Sequence, residues 1–225
     1  MDFTAIDFET ANQCRHSACQ LAAVKIRNGQ IVDQRCWLIR PEPFTFSRMN
    51  IQVHGILPEM VAAEPNFGSR WCEISEHLQG ECLIAHNAPF DIGVLRACLD
   101  FHQVEIPDLE FSCTRLVARN TWPDRPGYGL RALADWLGIR FRHHDALEDS
   151  IACAKVLLAA AETLGTDSMP QLEAKLCLRR GTAGRWGYRG ATRVPAPRRR
   201  VANRRGASAP DTPASATSGL TAGDC

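Results

Sequence analysis

The chain has 225 residues, 45% of them hydrophobic and 23% charged, with a net charge of +1. This composition excludes collagen, a wholly disordered chain and a small disulfide scaffold. No apolar run approaches the ~18–20 residues of a membrane span, and no basic segment followed by an apolar stretch opens the chain, so the expected compartment is the cytoplasm, with no membrane partner.

The net charge conceals two regimes. Residues 1–178 hold 16 Lys/Arg and 23 Asp/Glu, a balance of −7, whereas residues 179–225 hold ten Arg and two Asp, a balance of +8. The first segment has the apolar content of a folded domain. The second is rich in Arg, Gly, Ala, Pro, Ser and Thr and is expected to be disordered. Its arginines suit a polyanion or serve only as a solubilising extension. Ten cysteines are scattered without a CxxC pair or zinc-like spacing, which reads as free thiols in a reducing compartment.

In chain order, residues 3–9 alternate as a strand, with Phe3, Ala5, Asp7 and Glu9 on one side. Residues 19–27 and 30–39 form two further strands around the turn signal Asn28-Gly29, so three antiparallel strands open the chain. Residues 57–63 and 67–78 read as helices. The apolar run Cys82-Leu83-Ile84-Ala85 is a buried strand, and Pro89 starts a helix that continues to Phe101. Residues 109–113 form a short strand, and residues 130–137 and 146–164 form helices. Strands followed by strand–helix units indicate α/β architecture, a mixed sheet covered by helices.

Three acidic patches carry the chemistry. Asp7 and Glu9 are two apart on a strand, so their carboxylates share a face, where they either repel in solvent or hold a hard cation between them. His86-Asn87-Ala88-Pro89-Phe90-Asp91 leaves the buried strand and enters a helix, a usual ligand position in α/β folds; Asp91 is either a ligand or an acid favoured by the helix dipole. His143-His144-Asp145-Ala146-Leu147-Glu148-Asp149 leads into the long helix. Asp145 fits an N-cap with Glu148 three residues on, a reading that leaves His144 and Asp149 unexplained.

Together the patches resemble the DnaQ-like 3′–5′ exonucleases of the DEDD superfamily, whose pattern is DxE, then HNAxFD, then HxAxxD. The match covers roughly residues 2–165. The resemblance implies a ribonuclease H-like fold with a mixed five-stranded sheet whose first three strands are antiparallel, flanked by helices. It implies an exonuclease domain over 1–165, followed by an extra helix within 166–180 and a disordered Arg-rich tail over 181–225. Asp7, Glu9, Asp91 and Asp149 resemble the metal ligands, implying two Mg²⁺ or Mn²⁺ ions. His144 resembles the catalytic general base; the alternative branch uses a Tyr four residues before the last Asp, where this chain has Asp145. His143 stands one residue out of register, as a structural or substrate-proximal group. Thr10, Val53, His54, Asn87 and Phe90 match positions around the terminal nucleotide. The common DxETTG has become Asp7-Phe8-Glu9-Thr10-Ala11-Asn12, which changes the turn after the first strand.

The implied activity is release of nucleoside 5′-monophosphates from single-stranded DNA, in proofreading or repair. The alternatives are an exoribonuclease or a non-catalytic nucleic-acid-binding relative. Expected partners are single-stranded nucleic acid, DNA ahead of RNA, and a DNA polymerase or sliding clamp. Gln171 to Leu176 faintly resembles a clamp-binding peptide but reads better as an amphipathic helix, and Trp186 and Tyr188 among arginines suit a polymerase or a nucleic acid.

Overall fold

The structure, a computed structural model, describes residues 1–194 except 79 and 81. Strands β1 (Phe3–Thr10), β2 (Ala18–Arg27) and β3 (Gln30–Leu38) form the expected antiparallel meander. Asn28 and Gly29 close its hairpin at φ 52° and 75°, the left-handed pair that a two-residue turn of matching twist requires. On the other side of β1 run β4 (Cys82–Ala85) and β5 (Leu109–Cys113), each parallel to its neighbour. No helix among the described residues is long and apolar enough to cross a membrane.

The central strands are buried on both faces, and their alternation sorts them into two cores. Ile6, Phe8 and Leu83 pack with helices α3 (Phe67–Leu78) and α4 (Pro89–Phe101). Phe3, Ala5 and Ile84 pack with α5 (Thr114–Thr121), α6 (Leu130–Leu137), α7 (Ala146–Thr163) and α8 (Met169–Leu176). Phe3, Ile6, Leu83 and Ile84 are wholly buried, each contributing ~1.5–3 kcal/mol by leaving water. Two short helices, α1 (Arg48–His54) and α2 (Pro58–Val61), cover the end of β1. In α8, Met169, Leu172 and Leu176 are buried, so the segment with the faint clamp-peptide pattern is a packed helix.

The sheet has seven strands in the order β3-β2-β1-β4-β5-β7-β8, two more than the five expected. The additions come from the segment read as the start of the tail: β7 (Gly181–Gly184) pairs antiparallel with β5, and β8 (Gly187–Arg189) pairs with β7. A small two-stranded sheet joins β6 (Leu178–Arg179) to β9 (Thr192–Arg193). Disorder from residue 181 is therefore incorrect up to residue 194; residues 195–225 lie outside the described part of the chain. The physical reason is non-local. β5 would otherwise present an open edge, and β7 satisfies its backbone groups. Gly181 permits this, because a Cβ there would stand 2.2 Å from the Phe111 ring. Two of the arginines are ion-paired to the domain: Arg180 to Glu110 and Glu173, Arg185 to Glu105.

Candidate active site

The parallel pairing of β1 with β4 sets the carboxyl ends of these strands side by side, and the three acidic patches meet there. Asp7 and Glu9 project from the second half of β1, just before a register shift between Glu9 and Thr10. Asp91 sits in the first turn of α4 and Asp149 in the first turn of α7. One carboxylate oxygen from each of Asp7, Glu9 and Asp149 lies within 4.8 Å of the others. Asp91 is 1% exposed, and its Oδ1 accepts a hydrogen bond from the Phe8 N–H at 3.1 Å.

This density of negative charge is costly. Burial first, then the neighbouring carboxylates Asp91, Asp149 and Glu9, hold the Asp7 carboxyl well above its ordinary value. Burial, with Asp149 and Asp91 adding to it, raises Glu9 to about 8. Burial also raises Asp91 to about 8, against the opposing effect of the Phe8 hydrogen bond. Ionised together, these groups demand a cation, and an all-oxygen set fits a hard divalent ion.

The third patch is more tightly built than its sequence suggests. Both oxygens of Asp149 are engaged: Oδ1 lies 2.9 Å from His143 Nδ1, and Oδ2 accepts the His144 backbone N–H at 2.9 Å. His144 reaches this position at φ 67°, a left-handed conformation uncommon outside glycine. Its ring stacks on that of His143 at 3.9 Å and has no hydrogen-bond partner among the described residues. Burial, then the adjacent His143, lowers its pKa from the usual histidine value. Asp145 is the expected N-cap, accepting the Glu148 N–H.

A cavity of about 410 Å³ opens over the carboxylates. Thr10, Val53, His54, Phe90 and His144 are on its wall, as are Asp7, Glu9 and Asp149. Asn87 is not. It takes φ 72° in the turn before α4 and lines a neighbouring groove with Arg115 and Arg119. Asn50 and His86 also line the cavity, as do Met49 and Leu130, which the sequence did not single out. Asn50 Nδ2 donates to the Thr10 carbonyl at 2.8 Å, and His54 Nε2 donates to the same oxygen at 3.2 Å while its Nδ1 accepts the Ile56 N–H. These bonds tie α1 to the end of β1. His86 is similarly consumed: Nε2 donates to the Tyr128 carbonyl and Nδ1 accepts from the Thr114 hydroxyl, and burial lowers its pKa to about 4. Where the common glycine is missing, Asn12 closes the turn, accepting the Cys14 N–H and donating to the Thr45 carbonyl.

The family model described as Exonuclease (RNase_T) matches residues 4–157. The chain belongs to this exonuclease family. Within it, the four carboxylates and the histidine of the third motif place it among the DnaQ-like 3′–5′ exonucleases of the DEDD-His type. It is 32% identical over 171 residues to the PolC-type DNA polymerase III of Thermotoga petrophila, covering 72% of this chain and 12% of that protein. It is 30% identical over 175 residues to the 3′-5′ exonuclease DinG of Bacillus subtilis, covering 76% of this chain and 19% of that protein. The chain thus spans less than a fifth of the length of these curated relatives. Among solved structures, exonuclease X in complex with 5′ overhanging duplex DNA superposes with a TM-score of 0.63 at 27% identity, over 77% of this chain and 98% of that one.

Proposed function

We propose that the protein is a divalent-cation-dependent 3′–5′ exonuclease that releases nucleoside 5′-monophosphates from single-stranded DNA. The observation that carries this reading is the convergence of Asp7, Glu9 and Asp149 at the floor of one cavity, with the ring of His144, whose nitrogens make no hydrogen bond among the described residues, at its wall. The carboxylates hold Mg²⁺ or Mn²⁺, two ions in the family pattern, and Asp91 completes the set; the bound cation supplies charge stabilisation to the phosphoryl group. His144 serves as general base. A lowered pKa keeps its ring neutral at pH 7, ready to take the proton of the attacking water. His143 holds Asp149 in place, in the manner of a partner that orients a metal ligand.

The walls define the rest of the substrate. Met49, Val53 and Phe90 are exposed apolar side chains around the cavity and form a surface for the sugar and base of the terminal nucleotide. Apolar packing of this kind grips a strand without reading its sequence. Both ring nitrogens of His54 are spent on the protein, so His54 offers the nucleotide a packing face.

DNA is favoured over RNA by the polymerase III and DinG relatives. The same relatives support a place in replication proofreading or repair beside a DNA polymerase. Matched 5′-labelled DNA and RNA single strands of one sequence decide the substrate: the DNA strand should shorten faster, and faster shortening of the RNA strand would transfer the reading to an exoribonuclease.

A further inference from the structure

A second concavity, of about 560 Å³, lies against the same helix as the active-site cavity. Phe90 lines the first and its neighbour Pro89 lines the second, which follows the outer face of α4 through Gly93, Arg96 and Ala97 to Asp100. These residues recur at helical spacing, so they form one stripe about 16 Å long, eleven residues of helical rise. Its banks are Arg15, from the loop after β1, and Tyr188, from the C-terminal hairpin that lies beyond the matched family segment.

Three features of this trough point to a ligand of negative charge. First, its cations are unspent. Neither Arg15 nor Arg96 forms an ion pair among the described residues; Arg15 donates only to the Pro89 carbonyl, and Arg96 lies over the Tyr188 ring at 5.7 Å. Second, Arg96 makes no side-chain hydrogen bond among the described residues, and because its Nε is enclosed by protein, its terminal guanidinium nitrogens are the donors left for a ligand. Third, the helix gives way to seat Arg15. A Cβ at Gly93 would stand 1.8 Å from Arg15 Nη1, so the guanidinium lies where a side chain would otherwise be. A mid-helix glycine costs ~1 kcal/mol relative to alanine. Tyr188 adds an aromatic surface, 38% exposed and stacked on Phe111. Asp100, the one carboxylate on the lining, stands at the far end from the active site.

We propose that this trough, floored by Gly93 and Ala97 and banked by Arg15, Arg96 and Tyr188, holds the phosphodiester strand running 5′ from the terminal nucleotide. The inference rests on the reading above that the cavity takes a 3′-terminal nucleotide. Cations beside an aromatic ring are the means by which proteins hold single strands irrespective of sequence. At ~3.4 Å per stacked nucleotide, 16 Å spans about five nucleotides, fewer if the strand is stretched. Residues 1–194 hold 21 Lys/Arg and 23 Asp/Glu, a balance of −2, so the domain as a whole supplies no attraction for a polyanion and a local cationic path favours its approach to the carboxylates.

The test is the length dependence of binding, read by fluorescence anisotropy of 5′-labelled oligothymidylates on the full chain with chelator present. Affinity of the unaltered protein should rise as the strand lengthens from about two to about six nucleotides, then level off. Arg96→Gln should remove part of that rise and lower the slope of log Kd against log salt by ~0.7, about fivefold between ~0.1 and ~1 M salt. Gly93→Ala should also weaken long strands by displacing Arg15, while its thermal midpoint stays level or rises, which separates loss of the trough from loss of the fold. Arms with RNA strands of the same lengths should show the same length dependence, since the shared ligand is the phosphodiester chain. If both variants bind long strands as the unaltered protein does, the proposal is overturned. Hydrolysis of the p-nitrophenyl ester of thymidine 5′-monophosphate, which is too short to reach the trough, reports separately on the active-site reading. Failure there with the length dependence intact would sink the exonuclease reading and leave the strand path standing.

Discussion

Raised carboxylate pKa values make the metal-free protein lose stability as pH rises, and a divalent cation should reverse this. Glu9 titrates near 4.5 in the unfolded chain and about 8 in the folded one. Between these values the native state binds more protons than the unfolded state, so the derivative of unfolding free energy with pH is negative. His86 has the opposite sign: its value falls from 6.5 to about 4, so its stabilisation is complete above pH ~6.5 and is lost as pH falls through 4. The interval from pH ~6.5 to ~8 isolates the carboxylates. Over that interval Glu9 by itself contributes a loss of up to ~2 kcal/mol at ~1.36 kcal/mol per unit, and Asp91, also near 8, acts in the same direction. In a domain of this size ~1 kcal/mol moves the thermal midpoint by ~2–4 °C, so a fall of at least several degrees is expected in chelator. Mn²⁺ at a hundred times its pH 6.5 dissociation constant restores ~2.7 kcal/mol there, and the same concentration restores more at pH 8, where fewer protons compete for the oxygens. The assay is differential scanning fluorimetry at the two pH values, with chelator and with Mn²⁺. Asp91→Asn sharpens it. The amide oxygen can still accept from Phe8, but the burden of a buried carboxyl is gone, so the variant should be more stable than the unaltered protein without metal and gain less from Mn²⁺. A metal-free midpoint that is level or rising from pH 6.5 to 8, or an equal Mn²⁺ effect at both, would refute the reasoning.

The two adjacent histidines should separate kinetically. His144→Ala should lower kcat ~10²–10⁴-fold at every metal concentration, as loss of a general base does, whereas His143→Ala should raise the metal concentration for half-activity ~10–100-fold and leave saturated kcat much closer to normal; a reversed pattern would exchange their roles. Asn50→Ala frees the Thr10 carbonyl from its nearer donor and should raise KM more than it lowers kcat, measured on a single-stranded oligonucleotide; an unchanged KM would show that the α1 tie does not shape the cavity. Gly181→Val places a branched side chain against Phe111 and should cost ~1–3 kcal/mol in urea unfolding; a neutral result would mean that β7 does not depend on that contact.

The site was legible where its chemistry is local. Asp7 and Glu9 share a strand face whatever surrounds them, and Asp91 and Asp149 are held by helix starts that proline and the Asp145 N-cap announce. The central strands were equally plain, since β1 and β4 are buried on both faces. What stayed hidden depends on contacts distant in sequence. Helix α1 buries none of its own residues fully, so no apolar stripe marks it, and its position comes from Asn50 and His54 reaching the Thr10 carbonyl. The hold of His143 on Asp149 follows from the left-handed turn at His144, which a run of two histidines does not disclose. The hairpin of β7 and β8 has the composition of a disordered Arg/Gly segment. It folds because β5 supplies an edge, Phe111 supplies a floor and Glu105, Glu110 and Glu173 supply counter-charges.

The central claim is that this cluster of carboxylates cleaves a strand from its 3′ end with the help of a divalent cation. The most direct measurement follows one single-stranded DNA oligonucleotide labelled at its 5′ end and another labelled at its 3′ end, with Mn²⁺, with chelator, and with the Asp149→Asn protein. The account predicts a descending ladder from the 5′-labelled strand and immediate release of labelled mononucleotide from the 3′-labelled strand. Both should vanish in chelator and fall by orders of magnitude in the variant. Labelled mononucleotide released first from the 5′ end, or undiminished cleavage in chelator, would contradict it.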